Sequence, residues 1–248
     1  MALSFATNSP FKGAWDRASW FYFWDDFTDE YGLTSDLPTA SSSPWVGTAA
    51  SSGTFAMSTD AKGGVAVFSS ANNGDNSGAQ IQQDMEVWTL EAGKEVWFTA
   101  RLKMSDVTQA EAFVGIAITD TSVLDGGGSL ASGVTVTDGF GFYKPDGETN
   151  WYGVLRRDSV QVTTGTLATA VADTYIMFEA RVVMDPSTAG KGRVYYFIDG
   201  AEVARLDSTT MPYSAEEVLA GTVAFLSAEA NGGVKTLTLD FFGAAQQR

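Results

Sequence analysis

The chain has 248 residues, 44% of them hydrophobic and 12% aromatic, with a formal net charge of −15. That charge argues against a nucleic-acid partner, because binding to phosphates depends on clustered Lys and Arg. Neither Cys nor His occurs, which removes disulfides, thiol nucleophiles, Ser-His-Asp triads and imidazole-ligated zinc.

No run of about 18 apolar residues is present, and the opening MALSFATNSPFKGAW lacks the basic-then-apolar layout of a secretory leader. The expectation is a soluble chain made in a cytoplasm, with no membrane partner. Residues 1–19 show neither helical nor strand periodicity, yet they carry Leu3, Phe5, Phe11 and Trp15 together with Lys12 and Arg17. Such a segment cannot bury its aromatics by itself, so these six residues are the candidate partner-binding arm, the other reading being a lead that packs back along its own sandwich. Residues 20–248 are the expected single folded domain. Residues 36–53 read as a long loop holding one short strand around Trp45.

From there, runs rich in Val, Ile, Thr, Phe, Tyr and Trp, bounded by Gly, Asn, Asp or Ser, predict strands over 64–69, 78–85, 94–104, 112–120, 137–143 and 150–156. They continue over 160–164, 174–184, 192–199, 201–206, 220–228 and 235–242. Asp199-Gly200 supplies the positive-φ pair of a two-residue hairpin. Asp146-Gly147 and Asn231-Gly232-Gly233 mark further tight connections. Ser214 with Glu217 fits a capping box and predicts one helical turn over 214–219. Short strands in such number, with no linker between them, predict one all-β sandwich.

Two segments share the pattern Phe-x-Ala-Arg-apolar-x-Met, at Phe98–Met104 and Phe178–Met184. Alternation puts Phe98, Ala100, Leu102 and Met104 on one face, and Phe178, Ala180, Val182 and Met184 on the equivalent face of the other strand. Arg101, Lys103 and Arg181 then lie opposite, where cross-strand pairing with Glu95 or Glu179 is expected.

Trp24-Asp25-Asp26-Phe27, Val96–Leu102, Phe140–Tyr143, Phe178–Arg181, the Tyr196–Gly200 hairpin and the closing Leu237–Phe242 follow one another in an order that resembles concanavalin A-like jelly rolls of the laminin G type, in particular those of tailed bacteriophages. The resemblance implies a two-sheet antiparallel jelly roll whose first and last strands pair. It further implies a virion structural protein that decorates a capsid from outside, with the major capsid protein as partner and a homodimer or homotrimer as assembly. A carbohydrate-binding module of a tail fibre is the alternative, and a laminarinase-like glycoside hydrolase the third reading.

Enzymes of that kind use a Glu-x-Asp-x-x-Glu strand, and no such string occurs, so the chain is expected not to be an enzyme. The nearest acid pairs are Glu91/Glu95, Glu111 with Asp120, Glu216/Glu217 and Asp25/Asp26. Sugar stacking needs exposed rings. Trp88, Trp97, Trp151 and Tyr152 are candidates, with Trp151 and Tyr152, just after the loop 146–150, the best placed, although packing in the core or between loops is the favoured reading for any single Trp. No cofactor is called for. Asn72–Asn76 and Asp120–Asp125 could offer oxygens to Ca2+, but their first reading is turn chemistry.

Overall fold

The computed structural model describes residues 5–7, 9–12, 18–28, 43–58, 64–72, 74–126, 128–209, 211, 218–227 and 233–248. The strands in chain order are β1 (Trp20–Asp25), β2 (Trp45–Ala50), β3 (Thr54–Ser58), β4 (Val65–Ser69), β5 (Ser77–Gln83), β6 (Glu95–Met104), β7 (Ala110–Ala117) and β8 (Gly139–Lys144). They are followed by β9 (Asn150–Arg157), β10 (Val160–Thr169), β11 (Ile176–Met184), β12 (Gly192–Ile198), β13 (Ala201–Ser208), β14 (Ala220–Ser227) and β15 (Thr236–Gln247). Two antiparallel sheets form. The first runs β13-β12-β11-β6-β15-β4-β3, with β1 also on β15, and the second runs β10-β9-β8-β7-β14-β5-β2.

The expected pairing of first and last strands is present, from Trp20 opposite Gln247 to Asp25 opposite Phe242. A bulge at Asp240 bends β15, so its first half pairs with β4 and its second half with β1 while β6 follows it throughout. The short strand expected around Trp45 is β2, but β3, with its Thr54-Phe-Ala-Met-Ser58 pattern, went unread because it is short and rich in small residues. The helical turn expected over 214–219 has residues 214–217 outside the described ones, and Leu219 forms a bridge with Trp88.

The repeated Phe-x-Ala-Arg segments prove to be neighbours, since β6 and β11 pair antiparallel with Phe178 opposite Ala100 and Ala180 opposite Phe98. Each large ring therefore lies beside a small residue, which keeps the layer between the sheets evenly filled. Phe98 packs on Phe140, Phe142 and Phe242, and Phe178 packs on Phe142 and Trp151 with centroids 4.8 and 4.6 Å apart. The Asp199-Gly200 hairpin has both residues at positive φ, 49° and 81°, as its sequence requires.

Both sheets are also covered on their outer faces. On the first sheet, Ala6 and Phe11 join Trp97, Phe197 and Ala245 in a small apolar cluster, flanked by Phe5, Tyr22 and Trp24. The Ala6 backbone N–H donates to the buried carboxylate of Glu179 at 2.7 Å. The sequence left Phe5 and Phe11 either to a partner or to the chain's own sandwich. They lie against the chain's own sheet, because Trp97 and Phe197 there would otherwise face water. Leu3, Trp15, Arg17 and the side chain of Lys12 lie outside the described residues.

Candidate binding trough on the outer face of the second sheet

The connection from β7 to β8, residues 118–138, folds back over the outer face of the second sheet. Its Val123, Leu124, Val134 and Val136 are buried against Phe113, Ala117, Tyr143, Val154, Ala224 and Leu226. Polar side chains of the sheet hold the backbone of this cover in place. Gln80 accepts from the Val123 N–H, and Gln82 accepts from the Asp120 N–H while donating to the Ile118 carbonyl. Arg156 donates to the Val134 carbonyl, and Glu111 accepts from the Gly126 N–H and the Tyr143 hydroxyl. A Cβ at Gly133 would stand 1.6 Å from the Tyr143 oxygen, so only glycine lets the cover lie this close.

At one side the cover stops short of the sheet edge and leaves an open trough of about 520 Å3. Val46 and Thr48 of β2, Gln82 and Asp84 at the end of β5, and Thr119 and Asp120 of the cover line it. Glu86 fixes its rim by accepting from the backbone N–H and the hydroxyl of Thr119 at 2.9 and 2.6 Å. With Gln82 committed to the cover, Asp84 and the hydroxyl of Thr48 are left to meet a ligand. Sequence reasoning missed this place. Its available signal was the run Ala79-Gln-Ile-Gln-Gln-Asp84, in which Gln80 and Gln82 alternate with inward-facing Ala79 and Ile81.

Lys144 sits at one end of the same sheet and is fully buried, its Nζ donating to the carbonyls of Ala110 (2.5 Å) and Pro145 (2.9 Å). Burial pushes its pKa down to about 8, against the opposing pull of Asp146, Asp106, Glu111 and Glu148. Burial, with Glu111 beside it, pushes the Tyr143 phenol up.

The rings that were candidates for stacking on sugar are not available for it. Trp151 is 1% exposed and packs on Phe178 in the main core, and Tyr152 is 9% exposed with its hydroxyl bonded to Glu148. Alternation explains the placement of Trp151: with Leu155 it points between the sheets, whereas Tyr152, Val154 and Arg156 point outward, the last two beneath the cover. Trp88 and Trp97 are buried as well.

The acid pairs are scattered. Asp25 accepts from the Trp45 indole and the Phe27 N–H, Glu95 pairs with Arg181, Glu91 lies near Lys94, and Glu111 is under the cover. Glu216 and Glu217 lie outside the described residues. The Arg181–Glu95 pair is one of the cross-strand pairings the sequence implied, while Arg101 reaches Asp240 at the β15 bulge, at 2.7 Å. Asn76 of the first oxygen-rich segment lies where a side chain at Gly126, just past the second, would be. Asp120 accepts from the Ser122 N–H in a local turn. Among the described residues no group of three or more acids is arranged to hold a metal ion.

No family model matches the chain, and no curated protein does. Solved structures match at the level of the fold. An endo-1,3-β-glucanase from Streptomyces sioyaensis superposes with a TM-score of 0.64 at 11% identity, covering 95% of this chain and 99% of that one. A protein of unknown function from Shewanella oneidensis MR-1 gives 0.57 at 16% identity, over 92% and 87%. Peanut lectin gives 0.54 at 13% identity, over 92% and 97%. The chain has the jelly-roll fold of lectins and glucanases.

One expectation is thereby corrected. The chain was expected not to be an enzyme because it lacks a Glu-x-Asp-x-x-Glu string, yet it shares its fold along almost its whole length with an endo-1,3-β-glucanase. The missing string does not exclude catalysis, because carboxylates can be gathered from separate elements, as Asp84 and Asp120 are in the trough.

Proposed function

We propose that this chain is a saccharide-binding jelly roll whose ligand lies in the trough between β2, the end of β5 and residues 119–121. The observation that carries the reading is the trough itself: about 520 Å3, within the range of small-ligand sites, and lined by carboxylates and hydroxyls beside one apolar residue, Val46. Carboxylates and hydroxyls together offer the acceptors and donors that a sugar's vicinal hydroxyls need. Gln80 and Gln82 tie the wall of the trough to the sheet, so a ligand meets a surface that is already ordered, which lowers the entropic cost of binding. The shared fold with an endo-1,3-β-glucanase and a lectin makes a β-1,3-glucan the first ligand to try.

A second reading, hydrolysis of that ligand, is favoured by Asp84 and Asp120 lining one cavity, since glycoside hydrolysis draws on two carboxylates. Capsid decoration, proposed from the resemblance to phage proteins, loses the support of Phe5 and Phe11, which pack on the chain's own sheet.

The test is calorimetric titration with β-1,3-gluco-oligosaccharides, run beside an assay for released reducing ends. Wild type is expected to bind, with affinity falling roughly tenfold in Asp84→Ala, about the weight of one hydrogen bond to a charged group. If wild type binds no member of a panel of neutral oligosaccharides, the trough reading fails. Reducing ends released by wild type and lost in Asp84→Asn and Asp120→Asn would establish the second reading.

A further inference from the structure

The trough is acidic as well as polar. Asp84 and Asp120 are among its lining residues, Glu86 fixes its rim, and neither Lys nor Arg is among the described residues that line it. The sheet sets where the two aspartates stand. The Asp84 N–H donates to the Pro44 carbonyl at 2.9 Å, which carries the β2–β5 ladder one residue past β5. Asp84 thus keeps the alternation and stands on the same outer face as Gln82. Gln82 in turn accepts from the Asp120 N–H at 2.8 Å. Two residues along a strand span about 7 Å, so Asp84 is the next side chain on this face after the one that anchors Asp120.

The carboxylates differ in what they already hold. Asp120 accepts from the Ser122 N–H at 2.9 Å, and Glu86 accepts from Thr119. Asp84 is exposed and has no ion-pair partner among the described residues. A ligand that covers Asp84 strips water from an ionised group, and a neutral hydroxyl returns a hydrogen bond without an opposite charge. An ammonium returns both. A concave site whose walls carry one sign of charge also focuses the field, here in a chain of net charge −15, and so raises the local concentration of cations.

We propose that the trough takes an amino sugar, a glycan with a free 2-amino group whose ammonium meets the Asp84 carboxylate while its hydroxyls meet the rest of the lining. The saccharide class rests on the reading of the trough given above, whereas the cationic preference rests on the charge of its lining alone.

The experiment is calorimetric titration of the full chain with β-1,4-linked glucosamine oligosaccharides and with the matching glucose oligosaccharides, at mildly acidic pH, where the amines are protonated and the aspartates ionised. The amine series is expected to bind roughly tenfold or more tightly than the glucose series at low salt, with the advantage shrinking at physiological salt. Asp84→Asn removes the charge and keeps the shape, so in that variant the two series should bind alike. Because Asp84 is exposed, the variant should keep the wild-type circular dichroism spectrum. Asp75→Asn makes the same change of net charge at an exposed position beyond the opposite end of β5, and should leave the preference intact. No binding of the amine series, equal binding of the two series by wild type, a preference that survives Asp84→Asn, or one that is lost in Asp75→Asn would each overturn the proposal. Binding of β-1,3-gluco-oligosaccharides with no preference for the amine would overturn it and leave the trough reading standing. Binding of the amine series alone, lost in Asp84→Asn, would sustain it and remove the neutral glucan as the ligand.

Discussion

The two outer faces of the sandwich are both covered, but by different means. The first sheet is covered by a segment from the far N-terminal end, held mainly by apolar contact of Ala6 and Phe11 with Trp97, Phe197 and Ala245. The second is covered by a loop between adjacent strands, anchored apolarly at Val123, Leu124, Val134 and Val136 and by a set of sheet side chains that bond its backbone. Apolar contact has no direction and sets only an approximate position, whereas hydrogen bonds to named backbone atoms set register. The first sheet offers its cover the Glu179 bond to the Ala6 N–H, and the face with the larger set of directional anchors is the one that bears the trough.

The comparison is broken most directly at Phe11, which is 7% exposed and packs against Tyr22 and Trp24 at 6.4 and 5.9 Å. Phe11→Ala is expected to cost about 3 kcal/mol in urea unfolding. Hydrogen exchange should then rise in residues 5–12 and stay as in wild type over 118–138. Equal loosening of both covers would show that they form one cooperative unit.

A smaller loss, about 1–2 kcal/mol, is expected for Gln82→Ala, which leaves the Asp120 N–H and the Ile118 carbonyl without their partner. Exchange should quicken at Asp120 and its neighbours while residues 5–12 stay protected. Unchanged exchange at Asp120 would mean that the apolar anchors alone hold the cover.

The smallest effect concerns pH. In the native state Lys144 gives up its proton at about 8, and in the unfolded chain only near 10.5, so between these values the unfolded state binds more protons and stability rises with pH. Above about pH 10 the slope reverses, because the buried phenols of Tyr143 and Tyr196 are held neutral while those of the unfolded chain ionise. Between pH 8 and 9.5, wild type is expected to gain about 1 kcal/mol relative to Lys144→Met in urea midpoints. A difference independent of pH would show that Lys144 is solvated in the native state.

Most of the strands and the hairpin at Asp199-Gly200 were legible in the chain, because alternation and turn chemistry are local signals, whereas the pairing of the first and last strands was implied only by the resemblance to concanavalin A-like jelly rolls. The inward face of β6 and β11 was legible too, though not that they are neighbours: the match of Phe98 to Ala180 and Ala100 to Phe178 is a statement about two strands far apart in sequence.

Function was harder to read for the same reason. Trp151 was a candidate for sugar stacking because it follows a loop, with core packing the favoured reading for any single Trp, and its direction along β9 does send it into the core. Phe5 and Phe11 looked unpartnered because Trp97 and Phe197, which need covering, come much later in the chain. Asp84 and Asp120 belong to no common motif and share a trough only because the cover loop returns across β5. Composition and periodicity by themselves determined an acidic, all-β sandwich, and the jelly-roll topology was what the family resemblance implied. Which side chains it leaves to water, and so where a ligand can be held, was decided by the packing of segments distant in sequence.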